Sequence, residues 1–134
     1  MTKFLLHIPL LIGLLLVPAL GWADFQAGVD ASERGDYETA LKEFRPLANK
    51  GDKRAQTILG EMHLLGIGVP RNYEEAGKWY RLAALQGVSQ AQYWLGALYY
   101  DRLGESENYP EAMKWYKLAA NQGHSDAQHG FCRK

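Results

Sequence analysis

The sequence predicts an all-α fold, a solenoid of antiparallel helix hairpins, on three observations. A block of residue types recurs every 36 positions, each block holds two stretches of helical periodicity, and a glycine closes the first stretch of every block. About three such blocks fit behind a dissimilar N-terminal segment in a chain of 134 residues, which is room for one domain.

The recurrence is gapless. Tyr37, Tyr73 and Tyr109 open the copies, and Ala40, Ala76 and Ala112 follow at the same offset. Lys42, Lys78 and Lys114 come next, then Phe44, Tyr80 and Tyr116, and Ala48, Ala84 and Ala120. Gly51, Gly87 and Gly123 precede the Ala-Gln pairs 55–56, 91–92 and 127–128, and Leu59, Leu95 and Phe131 complete the series.

Each copy reads as two helices. In the second copy Ala76, Trp79, Tyr80, Ala83 and Ala84 fall at i, i+3, i+4, i+7 and i+8, one face of a helix. Gly87 ends that helix, as Gly51 and Gly123 do in the other copies, because glycine reaches the left-handed conformation of a helix C-terminus at little cost. Ala91, Trp94, Leu95 and Leu98 form one face of the second helix. Asp52, Ser89 and Ser125 stand at or beside the second-helix starts as expected N-caps. Ala55, Ala91, Gly60 and Gly96 are small enough for close backbone approach. One hairpin of this size cannot bury its own apolar face, so neighbours must stack. The expected core is Ala40, Phe44, Ala48, Gly51, Ala76, Trp79, Tyr80, Ala84, Gly87, Ala91, Leu95, Ala112, Trp115, Tyr116, Ala120 and Gly123. The aromatics also suit binding, but at this spacing the core is the stronger reading.

Residues 1–23 differ in kind. Lys3 supplies a positive start, an apolar run extends from Phe4 to Val17 with only His7, Pro9 and Gly13 interrupting it, and Pro18 breaks it. Gly21 and Ala23 place small residues at −3 and −1 of a cleavage site before Asp24. That order predicts a secretory signal peptide, hence a periplasmic or secreted protein without a stable membrane anchor after cleavage. The run is short for a membrane-spanning helix. The expected organisation is 1–23 signal peptide, 24–35 leading helix, and 36–134 solenoid with copies 36–71, 72–107 and an incomplete 108–134.

Composition narrows the chemistry. Fifteen Lys and Arg balance fifteen Asp and Glu, which gives no argument for nucleic acid. Cys132 is the only cysteine, so no intrachain disulfide forms. No His-Glu-x-x-His, Cys-x-x-Cys or Ser-x-x-Lys occurs, and Gly66-x-Gly68 reads as a turn rather than a phosphate loop. His129 and Cys132, three apart, with His124, are ligands of plausible type, but surface histidines and a small packing thiol at the register of Gly60 and Gly96 explain them as well. The expectation is a non-catalytic chain with no metal and no cofactor.

Opposite the core face, the first helices carry Lys42 and Arg45, Lys78 and Arg81, and Lys114 and Lys117. First helices line the concave side of stacked hairpins, so these six make a candidate partner-binding ridge. The alternative is a solvated face stapled by Glu38 to Lys42 and Glu74 to Lys78 at i, i+4.

From Ala76 to Gly96 the chain reads Ala-x-x-Trp-Tyr-x-x-Ala-Ala-x-x-Gly-x-x-x-Ala-Gln-x-x-Leu-Gly, preceded by Gly66-Ile67-Gly68-Val69-Pro70-Arg71-Asn72-Tyr73. Over about residues 36–134 this resembles the Sel-one-like repeat family, a relative of the tetratricopeptide repeat, whose period is 34 residues. The resemblance implies a right-handed solenoid and an adaptor or scaffold that binds other proteins. Three departures stand out: the third loop has Leu103-Gly104-Glu105-Ser106-Glu107 in place of Gly-x-Gly-Val-Pro, the first copy has Glu43-Phe44 for Trp-Tyr, and the chain ends at Lys134. A short last helix bearing Phe131 and Cys132 suggests an alternative role in self-assembly, through a weak homodimer at that end. Some cysteine-rich relatives are associated with penicillin binding or β-lactamase activity, but they use regularly spaced cysteine pairs that this chain lacks.

Overall fold

The structure, a computed structural model, describes residues 25–101 and 108–131, with side chains described as far as His129. Its regular elements are all helical: α1 (residues 25–33), α2 (Tyr37–Asn49), α3 (Lys53–Leu65), α4 (Tyr73–Leu85), α5 (Ser89–Asp101), α6 (Tyr109–Asn121) and α7 (Ser125–Phe131). The predicted signal peptide and the departing loop sequence Leu103–Glu107 lie outside the described residues.

One turn is built three times. Gly51 N–H donates to the Ala48 carbonyl and Asp52 N–H to the Leu47 carbonyl, both at 3.0 Å. Gly87 and Val88 repeat this on Ala84 and Ala83, and Gly123 and His124 on Ala120 and Ala119. This is the Schellman closure, and it requires the left-handed glycines, with φ of +99° at Gly51, +86° at Gly87 and +84° at Gly123. These three glycines are exposed, which corrects their placement in the core: they shape the turn, and a Cβ at any of them would meet nothing within 4 Å. The last residue of each turn also starts the next helix. Asp52 does so with its side chain, accepting from Arg54 N–H at 2.9 Å. At the equivalent positions Val88 and His124 supply backbone carbonyls to Gln92 and Gln128. Ser89 and Ser125 are therefore the first helical residues and not the caps.

Stacking follows from rings set into glycine notches. A Cβ on Gly60 would lie 2.7 Å from the Tyr80 ring, and one on Gly96 would lie 3.1 Å from the Tyr116 ring. Gly28 stands in the same relation to Phe44, at 2.7 Å. Helix α1 thus does the work of a second helix beneath α2, with a connection shorter than the 66–72 loop that joins α3 to α4. That longer loop rests Gly68, at φ +71°, on Tyr37, where any side chain would collide.

Two apolar clusters result. Phe44, Leu59, Met62 and several alanines form one, and Tyr80, Leu95, Leu98 and Trp115 with their alanines form the other. Of the expected core, Ala40, Phe44, Ala48, Ala76, Tyr80, Ala84, Ala91, Leu95, Ala112 and Trp115 are buried. Trp79, Tyr116 and Ala120 are only half-buried, which corrects their place in the core. Trp79 lies at the margin of the first cluster, and the described part of α7 covers α6 over only seven residues.

A polar ladder crosses these layers. The Gln56 amide donates to the Ala48 carbonyl at 3.1 Å and accepts from Gln86 at 2.8 Å. Gln92 repeats the pattern with Ala84 at 3.2 Å and Gln122 at 2.7 Å, and Gln128 donates to Ala120 at 3.2 Å. Gln56 and Gln92 are buried, so these bonds satisfy helix-end carbonyls that have lost water.

Candidate interaction surface

The 36-residue offset places Lys42, Lys78 and Lys114 in one register of the first helices, and Arg45, Arg81 and Lys117 in another one turn later. All six are exposed. The two registers differ in electrostatics. Lys42 pairs with Glu38 at 3.4 Å, Lys78 with Glu75 at 3.0 Å and Glu74 at 3.7 Å, and Lys114 with Glu111 at 4.0 Å. The lysine register is thus the stapled, solvated face that the sequence offered as one alternative, and such exposed pairs contribute little stability. At the other register Arg81 donates to the Tyr99 hydroxyl at 2.8 Å. Among the described residues, no carboxylate lies within ion-pair distance of Arg45, Arg81 or Lys117.

Clefts follow the same registers. One of about 410 Å³ runs along α2 past Glu38, Leu41, Lys42, Arg45, Pro46 and Asn49. Another of about 200 Å³ lies between α4 and α5, lined by Glu74, Gly77, Lys78, Arg81, Leu95 and Tyr99. Exposed apolar side chains accompany the unpaired cations, with Leu82, Leu85 and Leu118 retaining 45, 67 and 40% of their exposure.

Below this face sits His63, at the position Tyr99 holds in the next repeat. It is buried and its Nδ1 has no hydrogen-bond partner. Burial pushes its pKa down, and the charge of Arg45 adds to this while Glu75 opposes it. The Glu75 carboxyl is held below the usual range by its hydrogen bond from Lys78, with the charges of Lys78, His63 and Arg45 contributing. His63 carried no signal in the motif search; its equivalence to Tyr99 at the 36-residue offset was the signal available.

The other sequence candidates fall elsewhere. His124 stacks on Tyr93 with ring centroids 4.8 Å apart, His129 is exposed, and Cys132 lies outside the described residues, as does the side chain of Phe131. Among the described residues no three His, Cys, Asp or Glu side chains gather as metal ligands, and no helix is long and apolar enough to cross a membrane. A second pair of clefts, each under 300 Å³, opens on the opposite side, between α1 and α3 and between α3 and α5.

Known proteins share this architecture. A family model described as Sel1 repeat matches residues 53–88 and 89–124, so the family's unit pairs each second helix with the first helix that follows, the same pairs that hold the ring-in-notch contacts. A Sel1 repeat protein from Oxalobacter formigenes is similar at 32% identity and a TM-score of 0.71, over 81% of this chain and 85% of that one. A protective antigen present in uropathogenic Escherichia coli strains, displaying an SLR fold, is similar at the same identity and TM-score over 81% of this chain. This chain spans only 24% of that antigen's length. No curated protein matches the chain. With two adjacent repeats matched over more than half its length and a solved relative similar along most of both chains, the protein belongs to the Sel1 repeat family.

Proposed function

We propose that the chain is an exported, non-catalytic adaptor that binds another protein across the exposed face of α2, α4 and α6. The observation that carries this reading is the register of Arg45, Arg81 and Lys117, where one cation per repeat stands without a carboxylate in ion-pair contact, joined on α4 and α6 by the exposed leucines Leu82, Leu85 and Leu118. Sel1 repeats are in general a protein-interaction fold, and stacking of such repeats produces an extended surface suited to that role. Export is supported by the charged, apolar and small-residue order of residues 1–23, and it places the partner in the periplasm or outside the cell.

Capture from an envelope extract tests the reading when run with three versions of the protein. A partner should be retained by the wild type and by a variant changed on the opposite side at Leu65→Ser, and lost from Arg45→Glu/Arg81→Glu/Lys117→Glu. Retention by the triple variant, with loss on the Leu65 change, would show that the other side does the binding.

A further inference from the structure

We propose that the bound segment is an extended, acidic stretch of a partner protein, whose carboxylates sit on Arg45, Arg81 and Lys117 and whose apolar side chains lie against Leu82, Leu85 and Leu118. This rests on the reading of the first-helix face as the binding surface and adds the chemistry of its occupant.

The charge pattern selects the occupant. Six cations and four carboxylates (Glu38, Glu74, Glu75 and Glu111) share this face, an excess of two on a chain whose formal net charge is zero. The excess is not spread evenly. Each lysine at 42, 78 and 114 is met by a glutamate of its own helix, whereas the cations one turn on make no ion pair among the described residues: Arg81 donates to a neutral phenol, and Arg45 feels Glu75 only beyond ion-pair distance. A continuous polyanion would carry charge across Glu38 and Glu74, which are exposed on the same face, and would be repelled there. A peptide avoids this, since its carboxylates can be separated by uncharged residues.

Spacing sets the pattern of the segment. Packed helices lie about 8–10 Å apart, so successive first helices, with a second helix between them, present equivalent positions on the order of 10–20 Å apart. An extended strand advances about 3.3 Å per residue, which puts roughly three to six residues between successive carboxylates. The intervening residues reach Leu82, Leu85 and Leu118, which supply apolar contact between the charged anchors. Desolvating part of those leucines gives affinity, and the cations fix register and orientation.

The probe is a fluorescein-labelled peptide with a glutamate about every fourth residue among leucine, alanine and serine, compared by anisotropy with its glutamine and lysine counterparts. The glutamate peptide should bind at least about ten-fold more tightly than the glutamine peptide, and the advantage should shrink as salt screens it. Arg45→Ala, Arg81→Ala and Lys117→Ala should each weaken it roughly two- to five-fold, the range expected of an exposed ion pair. Lys53→Ala, an exposed lysine on α3 outside this face, should change little. Equal binding of glutamate and glutamine peptides, lost on Leu82→Ser, would overturn the acidic occupant and leave the face as the binding surface. Binding lost on Leu65→Ser and untouched by every change on the first-helix face would overturn both. Failure of all three peptides to bind, with the envelope partner still captured through this face, would overturn the acidic segment alone.

Discussion

In the first repeat the ring that fills the glycine notch is Phe44, and in the second it is Tyr80, both essentially without solvent exposure. The backbone geometry is the same, but the chemistry is not. Tyr80 brings a hydroxyl into the core where no hydrogen-bond partner meets it, and burial pushes its pKa far above the usual phenol range. At a second register the repeats differ in the opposite sense. Tyr99 sits half-buried at the first-helix face and its hydroxyl accepts from Arg81, while its counterpart His63 is buried with an orphaned nitrogen beside Arg45. The comparison teaches that glycine notches and Schellman turns hold the repeat geometry, and that polar atoms at the same register gain or cost according to whether a partner reaches them.

The largest expected effect comes from the ring itself. Tyr80→Ala should destabilise by about 3–5 kcal/mol in urea, the cost of emptying a fully buried aromatic site. Trp79→Ala, one residue away and half-buried, should cost only about 1–2 kcal/mol. Equal losses would mean that Trp79 is as deeply packed as its neighbour.

Exchange between the repeats is a smaller perturbation. Tyr80→Phe reproduces the first repeat and removes an unsatisfied hydroxyl, so it should be neutral or stabilising by up to about 1 kcal/mol. Phe44→Tyr should cost about 1–3 kcal/mol by creating the same orphan. A loss of stability on Tyr80→Phe would show that water or a neighbour serves the Tyr80 hydroxyl.

The smallest effect is a slope against pH. His63 has a folded-state pKa below its unfolded value of about 6.5, so its neutral form favours folding. That stability is present above the unfolded pKa and is lost as pH falls below it. Asp36, Asp52 and Glu75, whose carboxyls are held low chiefly by hydrogen bonds, lose their contributions only at more acid pH. His63→Tyr should flatten the loss that sets in as pH falls below about 6.5 and let the new hydroxyl accept from Arg45, as Tyr99 does from Arg81. An unchanged slope would assign that acid sensitivity to another group.

Much of this was legible in the sequence because the repeat is written in residue types with strong local physics. Glycine at 51, 87 and 123 announces the left-handed turn, and the period alone brings the six cations onto one face. The lysine row was legible in part, from Glu38 to Lys42 and Glu74 to Lys78 at i, i+4, but the pairs from Glu75 and Glu111 at i, i+3 were not, since they depend on which rotamers reach the lysines. The role of α1 was half visible. Residues 24–35 read as a leading helix, but the Gly28 notch was hidden because a shorter connection breaks the 36-residue offset. The glutamine ladder was missed at Gln86 and Gln122, for which the first repeat has Lys50. The N-cap expectation failed at Ser89 and Ser125 because the Schellman turn fixes the cap one residue earlier, whatever side chain stands there.

The claim that the first-helix face is the binding surface is tested most directly by lysine footprinting of the complex with its captured partner. Lys78, Lys114 and Lys117 should be protected from acylation in the complex, while exposed Lys53, on α3 outside this face, should react as it does in the free chain. Protection of Lys53 with no change at Lys78, Lys114 and Lys117 would contradict the account.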